Sequence, residues 1–394
     1  MKMNSQKTKV LYLHAGAELY GADKILLELL TDLDKTKFKP IVLLPNDGPL
    51  VNKIKNIGVD VQIVHYPIIR RKFFTVIGIL KYSLKYLKYG IILSRFVKKN
   101  EVNVIHVNTT AVLEGAFIKV FNNVPLVWHI HEIIMSPKIM FKFFSYIIQH
   151  VSNRIVTVSD ATRNRLLESN YVSSDKTYTI YNGINSENII SHNNYETKKI
   201  MKSQLNIPND SKVIGMVGRI NSWKGQSDFV GAVNQLFREN KNIHAVMVGS
   251  VFEGEEFRFE ELKNEINKTI FPNQIHIVQF TEDIADFYSL FDVFVLPSTR
   301  PDPFPTVVLE AMANRLPIVA YNHGGVTEMI EDKKSGYLVD VGQIEKLAES
   351  ISYLVNNDQQ RKLIGEAAHF RQMSLFNKKI FVKKFEKVYE NVTR

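Results

Sequence analysis

One pattern restricts this chain more than any other: short apolar, often β-branched runs, each followed by a longer stretch with helical spacing. The first half carries KVLYLH (9–14), PIVLLP (40–45), VDVQIV (59–64), NVIHVN (103–108), PLVWHI (125–130) and RIVTVS (154–159). The second carries VIGMVG (213–218), IHAVMVG (243–249), QIHIVQ (274–279), DVFVLP (292–297) and LPIVAY (316–321). Many are continuous rather than alternating, as expected of strands covered by helices on both faces. The pattern predicts an α/β protein with two doubly wound parallel domains, residues 1–185 and 213–375. The polar, Asn-rich stretch 186–212 reads as an interdomain region with some helix. A last helical pattern within 376–394 puts Phe381, Phe385, Val388 and Val392 on one stripe. No period of 20 to 50 residues recurs, which argues against a solenoid. Ligands of open α/β sheets sit at the carboxyl ends of the strands, so two such domains facing one another are expected to hold their chemistry in a cleft.

Composition narrows the chemistry. The chain has no cysteine, which excludes disulfides, thiolate metal sites and a cysteine nucleophile. Its first ten residues are polar and the apolar run VLYL after them is too short for a signal peptide, so a cytoplasmic protein is expected. Charge is uneven: 27 Lys and Arg against 15 Asp and Glu over residues 1–200 give +12, and 23 against 25 over residues 201–394 give −2. Residues 51–100 alone hold eleven cations and one acid. A basic half beside a neutral one points to a local anionic partner.

Within residues 66–99, Ile77, Leu80, Leu84, Leu87 and Ile91 form a helical apolar seam, with Lys81, Lys85, Lys88 and Arg95 on another face. The lysines interrupt any spanning segment, leaving a surface helix. It reads either as a docking element for an anionic membrane, peripheral on the inner face of the cell membrane, or as the solvated face of an ordinary helix. A nucleic-acid partner finds no recognition motif to support it.

Two constellations carry candidate chemistry. After VIGMVG, the loop Gly218-Arg219-Ile220-Asn221-Ser222-Trp223-Lys224-Gly225 places a guanidinium and an ammonium between flexible glycines. A fork and a point charge converging on one spot suit a diphosphate, although two such cations taken alone read first as solvated loop charges. Neither the G-x-x-x-x-G-K-[ST] pattern nor G-x-G-x-x-G is present. The second constellation is LPSTRPDPFPTVVLEAMA (296–313), a Pro-rich loop feeding a helix that begins near Pro305 or Thr306. Its first-turn N–H groups suit an anion. Glu310 lies one turn inside, among apolar neighbours where a carboxylate needs a partner, and Asp302 stands eight residues earlier.

These segments, with HAGAELYGADKILLELL (14–30), VWHIHE (127–132), RIVTVSDATRNRL (154–166), IYNGIN (180–185), AVMVG (245–249), GGVTEMI (324–330) and GYLV (336–339), resemble the large retaining glycosyltransferases of family four. The resemblance covers nearly the whole chain and lies in the sucrose-synthase-like and phosphatidylinositol-mannosyltransferase-like branch. It implies two Rossmann-like domains of the GT-B type, the first binding acceptor and the second a nucleotide sugar. It also implies that the last helix crosses back to the first domain, and that no metal or other cofactor is needed. Arg219 and Lys224 would grip the donor diphosphate, Glu310 its ribose, and Asp302 the sugar. Thr306 and Val307 would offer N–H groups to the distal phosphate, with Phe304, Pro305 and Gly218 beside them. Gly21 would be the close-approach glycine of the first loop, and His131 would touch the transferred sugar. Three positions depart from the family pattern: Asp302 for Glu, Pro305 for Gly, and Tyr20-Gly21 for Gly-Gly. The expected reaction is sugar transfer to a carbohydrate or lipid-linked acceptor in cell-surface polysaccharide or glycolipid synthesis. A nucleotide-sugar epimerase or a non-catalytic sugar-nucleotide binder of the same fold are the alternatives.

His129 and His131 form an H-x-H, which is read as hydrogen-bonded histidines rather than a metal site, because Glu132 is the sole local third ligand. Asp32 and Asp34 match D-x-D but follow a helix, and are read as surface residues.

Overall fold

The computed structural model describes residues 7–394 except 71–72, 136, 191–193, 253, 280 and 282. Met1–Gln6 of the polar start, Arg71 and Lys72 of the basic segment, and 191–193 of the expected interdomain stretch lie outside the described residues. The chain divides into two compact units, one running to Gly183 and including Lys378–Arg394, the other spanning Ile184–Asn377.

The first unit holds a seven-stranded parallel sheet: β1 (Thr8–Leu13), β2 (Phe38–Leu44), β3 (Asp60–Ile63), β4 (Val104–Val107), β5 (Leu126–Ile130), β6 (Arg154–Thr157) and β7 (Thr177–Thr179), in the order β3-β2-β1-β4-β5-β6-β7. The second holds six: β8 (Lys212–Val217), β9 (Ile243–Val248), β10 (Ile275–Val278), β11 (Val293–Leu296), β12 (Ile318–Tyr321) and β13 (Tyr337–Val339), ordered β10-β9-β8-β11-β12-β13. Helices connect the strands throughout, so both units are Rossmann-like α/β domains. In each, strand order reverses beside the first strand, at β1/β4 and at β8/β11, which is where such sheets open a ligand crevice.

The continuous apolar runs are buried as their pattern requires. Val10, Leu11, Leu13, Val104, Val107, Leu126, Val127 and Trp128 in one sheet, and Val213, Ile214, Val293, Phe294, Ile318 and Val319 in the other, have no exposed surface. Two strands escaped the sequence pattern: β7 and β13 have three residues each and lie at sheet edges, too short to show a run. Polar side chains set helix starts, with Thr75 accepting from Gly78 N at 3.0 Å and Ser159 from Thr162 N at 3.1 Å. The stretch 186–212 belongs to the second unit, where helix Asn194–Gln204 packs on helix Ile284–Leu290 and Lys198 Nζ meets Asp292 Oδ1 at 3.0 Å.

The last helix, Lys378–Thr393, is part of the first unit. Its buried seam is Phe381, Val382, Phe385 and Tyr389. Val388 and Val392, expected on that seam, are only half-buried, because the contact face turns toward Tyr389. The Tyr389 hydroxyl lies 2.7 Å from His106 Nδ1 and 3.1 Å from the Tyr12 hydroxyl, and Lys378 Nζ reaches Asp32 Oδ1 at 2.9 Å. Asp32 of the D-x-D is thereby a structural anchor, and Asp34 accepts from Thr36 N at 2.9 Å.

Helix Val76–Asn100 packs on helix Glu114–Asn122 so closely that a Cβ on Gly90 would lie 2.6 Å from the Phe117 ring. Its packed face is Gly90, Leu93 and Val97, and the apolar seam read from the sequence lies on a different face. Ile77, Leu80, Leu84, Leu87 and Ile91 are 45–67% exposed, and Lys81, Lys85, Lys88 and Arg95 flank them in solvent. Among the described residues no helix is long and apolar enough to cross a membrane.

Candidate functional site

The two sequence constellations follow β8 and β11, which are hydrogen-bonded neighbours, so their loops leave the same edge of the second sheet side by side. Glycines allow the loops to close on each other. Gly225 has φ +83°, and a Cβ there would stand 1.8 Å from Pro297 O. Thr299 N donates to Trp223 O at 2.7 Å, tying one loop to the other. From the far side, Gly324 (φ +67°) and Gly325 press on the second loop, and Gly325 N donates to Asp302 O at 2.8 Å.

The approach brings Lys224 to Asp302. The ammonium lies 2.9 Å and 3.0 Å from the two carboxylate oxygens, and the Ser298 hydroxyl donates to Oδ2 at 2.9 Å. Both side chains are largely buried, at 14% and 9% exposure. An ammonium carries three donors, so the carboxylate leaves at least one N–H for another acceptor. Within the first loop, Asn221 Oδ1 accepts from Trp223 N at 3.0 Å and Lys224 N at 2.9 Å, which fixes the turn. The Lys224 stem runs beside Gly218, whose added Cβ would be 3.8 Å from Lys224 Cδ. The Arg219 guanidinium stacks on the Phe252 ring, 3.5 Å from its centroid.

The helix after the second loop is Thr306–Ala313, with Pro305 at its cap, as the sequence indicated. Thr306 and Val307 occupy the first turn, where helical N–H groups have no intrahelical partner. Glu310 is 2% exposed and accepts from the Tyr288 hydroxyl at 2.7 Å. Burial and the Glu310 charge push the Tyr288 phenol well above its ordinary pKa, keeping it a neutral donor. Phe304 is buried, edge-on to Phe376 at 5.4 Å. Sequence reasoning missed Tyr288 and Ser298: Tyr288 lies in an ordinary amphipathic helix, and Ser298 carries only its spacing of four residues from Asp302.

In the first unit, a polar cluster gathers at the carboxyl ends of β1, β4 and β5. Asn108 Nδ2 lies 3.0 Å from His14 Nδ1, and His14 Nε2 lies 2.5 Å from Asp23 Oδ1. The Asn108 carbonyl oxygen sits 3.0 Å from His129 Nδ1, 3.2 Å from His131 Nε2 and 3.3 Å from His106 Nε2. Burial, reinforced by neighbouring histidines, holds His131 down to about 3 and His129 well below the usual range. Burial likewise holds His106 down to about 3. These imidazoles stay neutral near pH 7 and offer hydrogen bonds, not charge. Glu132 accepts from the Thr109 hydroxyl at 2.5 Å. Among the described residues no three His, Asp or Glu side chains are grouped to hold a metal ion. Gly21 is the first residue of helix Gly21–Asp32 and therefore starts that helix.

Comparison with known proteins agrees with this architecture. Residues 20–188 match the family described as Glycosyltransferase Family 4, and residues 197–370 match Glycosyl transferases group 1. The capsular polysaccharide biosynthesis glycosyltransferase CapM of Staphylococcus aureus is 25% identical over 63% of this chain, which spans 66% of CapM's length, just under two thirds. The UDP-Gal:alpha-D-GlcNAc-diphosphoundecaprenol alpha-1,3-galactosyltransferase of Escherichia coli is 22% identical over 98% of this chain and 97% of its own. The crystal structure of Anabaena HepE in complex with UDP and glucose has the same fold, with a TM-score of 0.84 at 22% identity over 97% of this chain and 99% of HepE. Its two Rossmann-like domains and the paired family matches along its length establish that the chain belongs to the family-4 glycosyltransferases of the GT-B fold.

Proposed function

We propose that the protein is a retaining glycosyltransferase that moves a sugar from a nucleoside diphosphate to a carbohydrate or lipid-linked acceptor in cell-surface polysaccharide or glycolipid synthesis. The observation that carries this reading is the junction of Lys224, Asp302 and the Thr306 helix start at the β8/β11 switch point. Lys224, Arg219 and the first-turn N–H groups form a preorganised cationic surface for the departing diphosphate. Asp302 orients the ammonium and offers its remaining lone pairs to sugar hydroxyls, while Glu310 takes the ribose. In the proposed step the bond from the anomeric carbon to the phosphate oxygen breaks as the acceptor oxygen bonds to that carbon from the same face. The acceptor's proton passes to the leaving phosphate oxygen, so no protein nucleophile and no metal is assigned a part. The neutral histidine cluster of the first unit, His131 included, suits sugar hydroxyls.

A uridine diphosphate sugar is the first donor to try, since UDP occurs in both the HepE complex and the Escherichia coli relative's name. That relative's diphospholipid acceptor and the exposed apolar stripe of helix Val76–Asn100 favour a lipid-linked acceptor and peripheral attachment to an anionic membrane. The test is a panel of nucleotide sugars scored by thermal stabilisation and then by transfer, with and without a chelator. Stabilisation by one donor, chelator-resistant transfer with retained anomeric configuration, and its loss in Lys224→Ala are expected. Turnover by Lys224→Ala at the parent rate would sink the assignment.

A further inference from the structure

We propose that the first unit has a separate pocket for the phosphate of an amphiphilic ligand, built from Arg70, Lys85 and His65. A cavity of about 180 Å³ lies past the carboxyl ends of β2 and β3, lined by Asn46, His65, Tyr66, Arg70, Phe73 and Lys85 among others. None of its described lining residues is an acid. Two cations and an imidazole around one concavity select an anion, and Asn46 adds a neutral donor.

The volume restricts the ligand further. Sites that enclose a whole drug-sized molecule run to roughly 300–1,000 Å³. This one takes a phosphate or diphosphate group and leaves the remainder of its ligand outside. Lys85 links the cavity to what lies outside, because it stands on helix Val76–Asn100 next to Leu84, on the flank of the exposed apolar stripe. Leu80, Leu84 and Leu87 then offer a track for hydrocarbon beginning at the pocket rim. Two walls are held by hydrogen bonds: His65 Nδ1 lies 2.8 Å from Pro45 O, and the Tyr66 hydroxyl oxygen lies 2.6 Å from His14 O and 2.7 Å from Leu43 O, between which its one proton is shared. An anionic head in the pocket and an apolar chain on the helix together describe a lipid phosphate. Naming it the acceptor rests on the transferase reading; the pocket does not.

The test titrates the full-length protein with three probes: geranyl diphosphate, pyrophosphate and geraniol. Parent and Lys224→Ala proteins are run in parallel, so that any anion held by the second unit is told apart. Geranyl diphosphate is expected to bind at least tenfold more tightly than either other probe. Arg70→Ala/Lys85→Ala should lose at least tenfold of that affinity, and Arg70→Lys/Lys85→Arg should keep most of it. Leu80→Ser/Leu84→Ser should weaken geranyl diphosphate and leave pyrophosphate unchanged. Unaltered binding in Arg70→Ala/Lys85→Ala overturns the pocket. Equal affinity for pyrophosphate and geranyl diphosphate, insensitive to the leucines, overturns the lipid in favour of a free soluble phosphate. Donor stabilisation read on the same samples separates the two claims: losing the pocket leaves it intact, and losing the transferase reading leaves geranyl diphosphate binding intact.

Discussion

Lys224 and Asp302, 78 positions apart in sequence, form a largely buried ion pair with the ammonium 2.9 Å from one carboxylate oxygen. The pair makes Lys224 the counterion of a buried carboxylate, and in the proposed reaction the same ammonium contacts the leaving group. Lys224→Ala therefore has two costs. Turnover should fall about 100- to 1000-fold, as for loss of one transition-state donor. The second unit should also lose stability, by at most the ~3–5 kcal/mol of breaking a buried pair. Adding Asp302→Asn to Lys224→Ala should restore much of the stability and none of the turnover. Denaturant melts and initial rates on the four proteins of this cycle check both limbs.

Glu310 should act on donor binding more than on chemistry. A charge-assisted hydrogen bond is worth roughly 1.5–3 kcal/mol, so Glu310→Gln should raise the donor KM by about 10- to 100-fold with a much smaller change in kcat. Tyr288→Phe should move KM in the same direction by less, since it removes only the hydroxyl that donates to Glu310. A fall confined to kcat would instead put Glu310 at the reacting centre.

Acidity should affect the first unit in two opposed limbs. His106 and His131 are held near 3, so the folded state binds fewer protons than the unfolded one from about pH 6.5 down to 3, and stability drops as pH falls through that window. Burial pushes Glu114 up to about 8, so from its ordinary 4.5 to about 8 the folded state holds the extra proton and stability drops as pH rises. Stability should peak near pH 6.5. Glu114→Gln should flatten the alkaline limb, recovering about 2 kcal/mol between pH 6.5 and 8 at 1.36 kcal/mol per unit. Equilibrium unfolding at stepped pH reads this directly.

Flotation with vesicles containing phosphatidylserine tests the basic helix. Each cation near such a surface contributes about 1 kcal/mol. Reversing Lys81, Lys85, Lys88 and Arg95 to Glu should abolish flotation, and salt should weaken the parent protein's binding. Undiminished flotation of the reversed protein would remove electrostatic docking by this helix from the proposal.

Gly225→Ala should destabilise the second unit more than an exposed substitution does, because its Cβ would overlap Pro297 O and its φ of +83° strains any L side chain. A melt that matches the parent protein would show that the two loops do not need this contact.

What could be read in advance divides by range. Strands such as Val213–Val217 or Val293–Leu296 announce themselves because burial on both faces demands unbroken apolar runs, whereas Thr177–Thr179 and Tyr337–Val339 at the edges face no such demand. Helical spacing located Ile77, Leu80 and Leu84 on one face, yet spacing cannot tell a core seam from an exposed one. The tight fit of Gly90 on Phe117 decides it, and that partner lies on another helix. The helix start at Thr306 was legible from proline and threonine. The pairing of Lys224 with Asp302 and of Glu310 with Tyr288 was not, because each depends on which strands become neighbours.

The helix Lys378–Thr393 also bears on how the molecule is made. A ribosome emits Tyr12 and His106 long before Tyr389, which completes their hydrogen bonds. By the end of that interval the second unit has every strand it needs, while the nascent first unit still lacks Phe381 and Phe385 of its buried core. A premature stop at codon 378 would therefore cripple the earlier-synthesised unit and spare the later one.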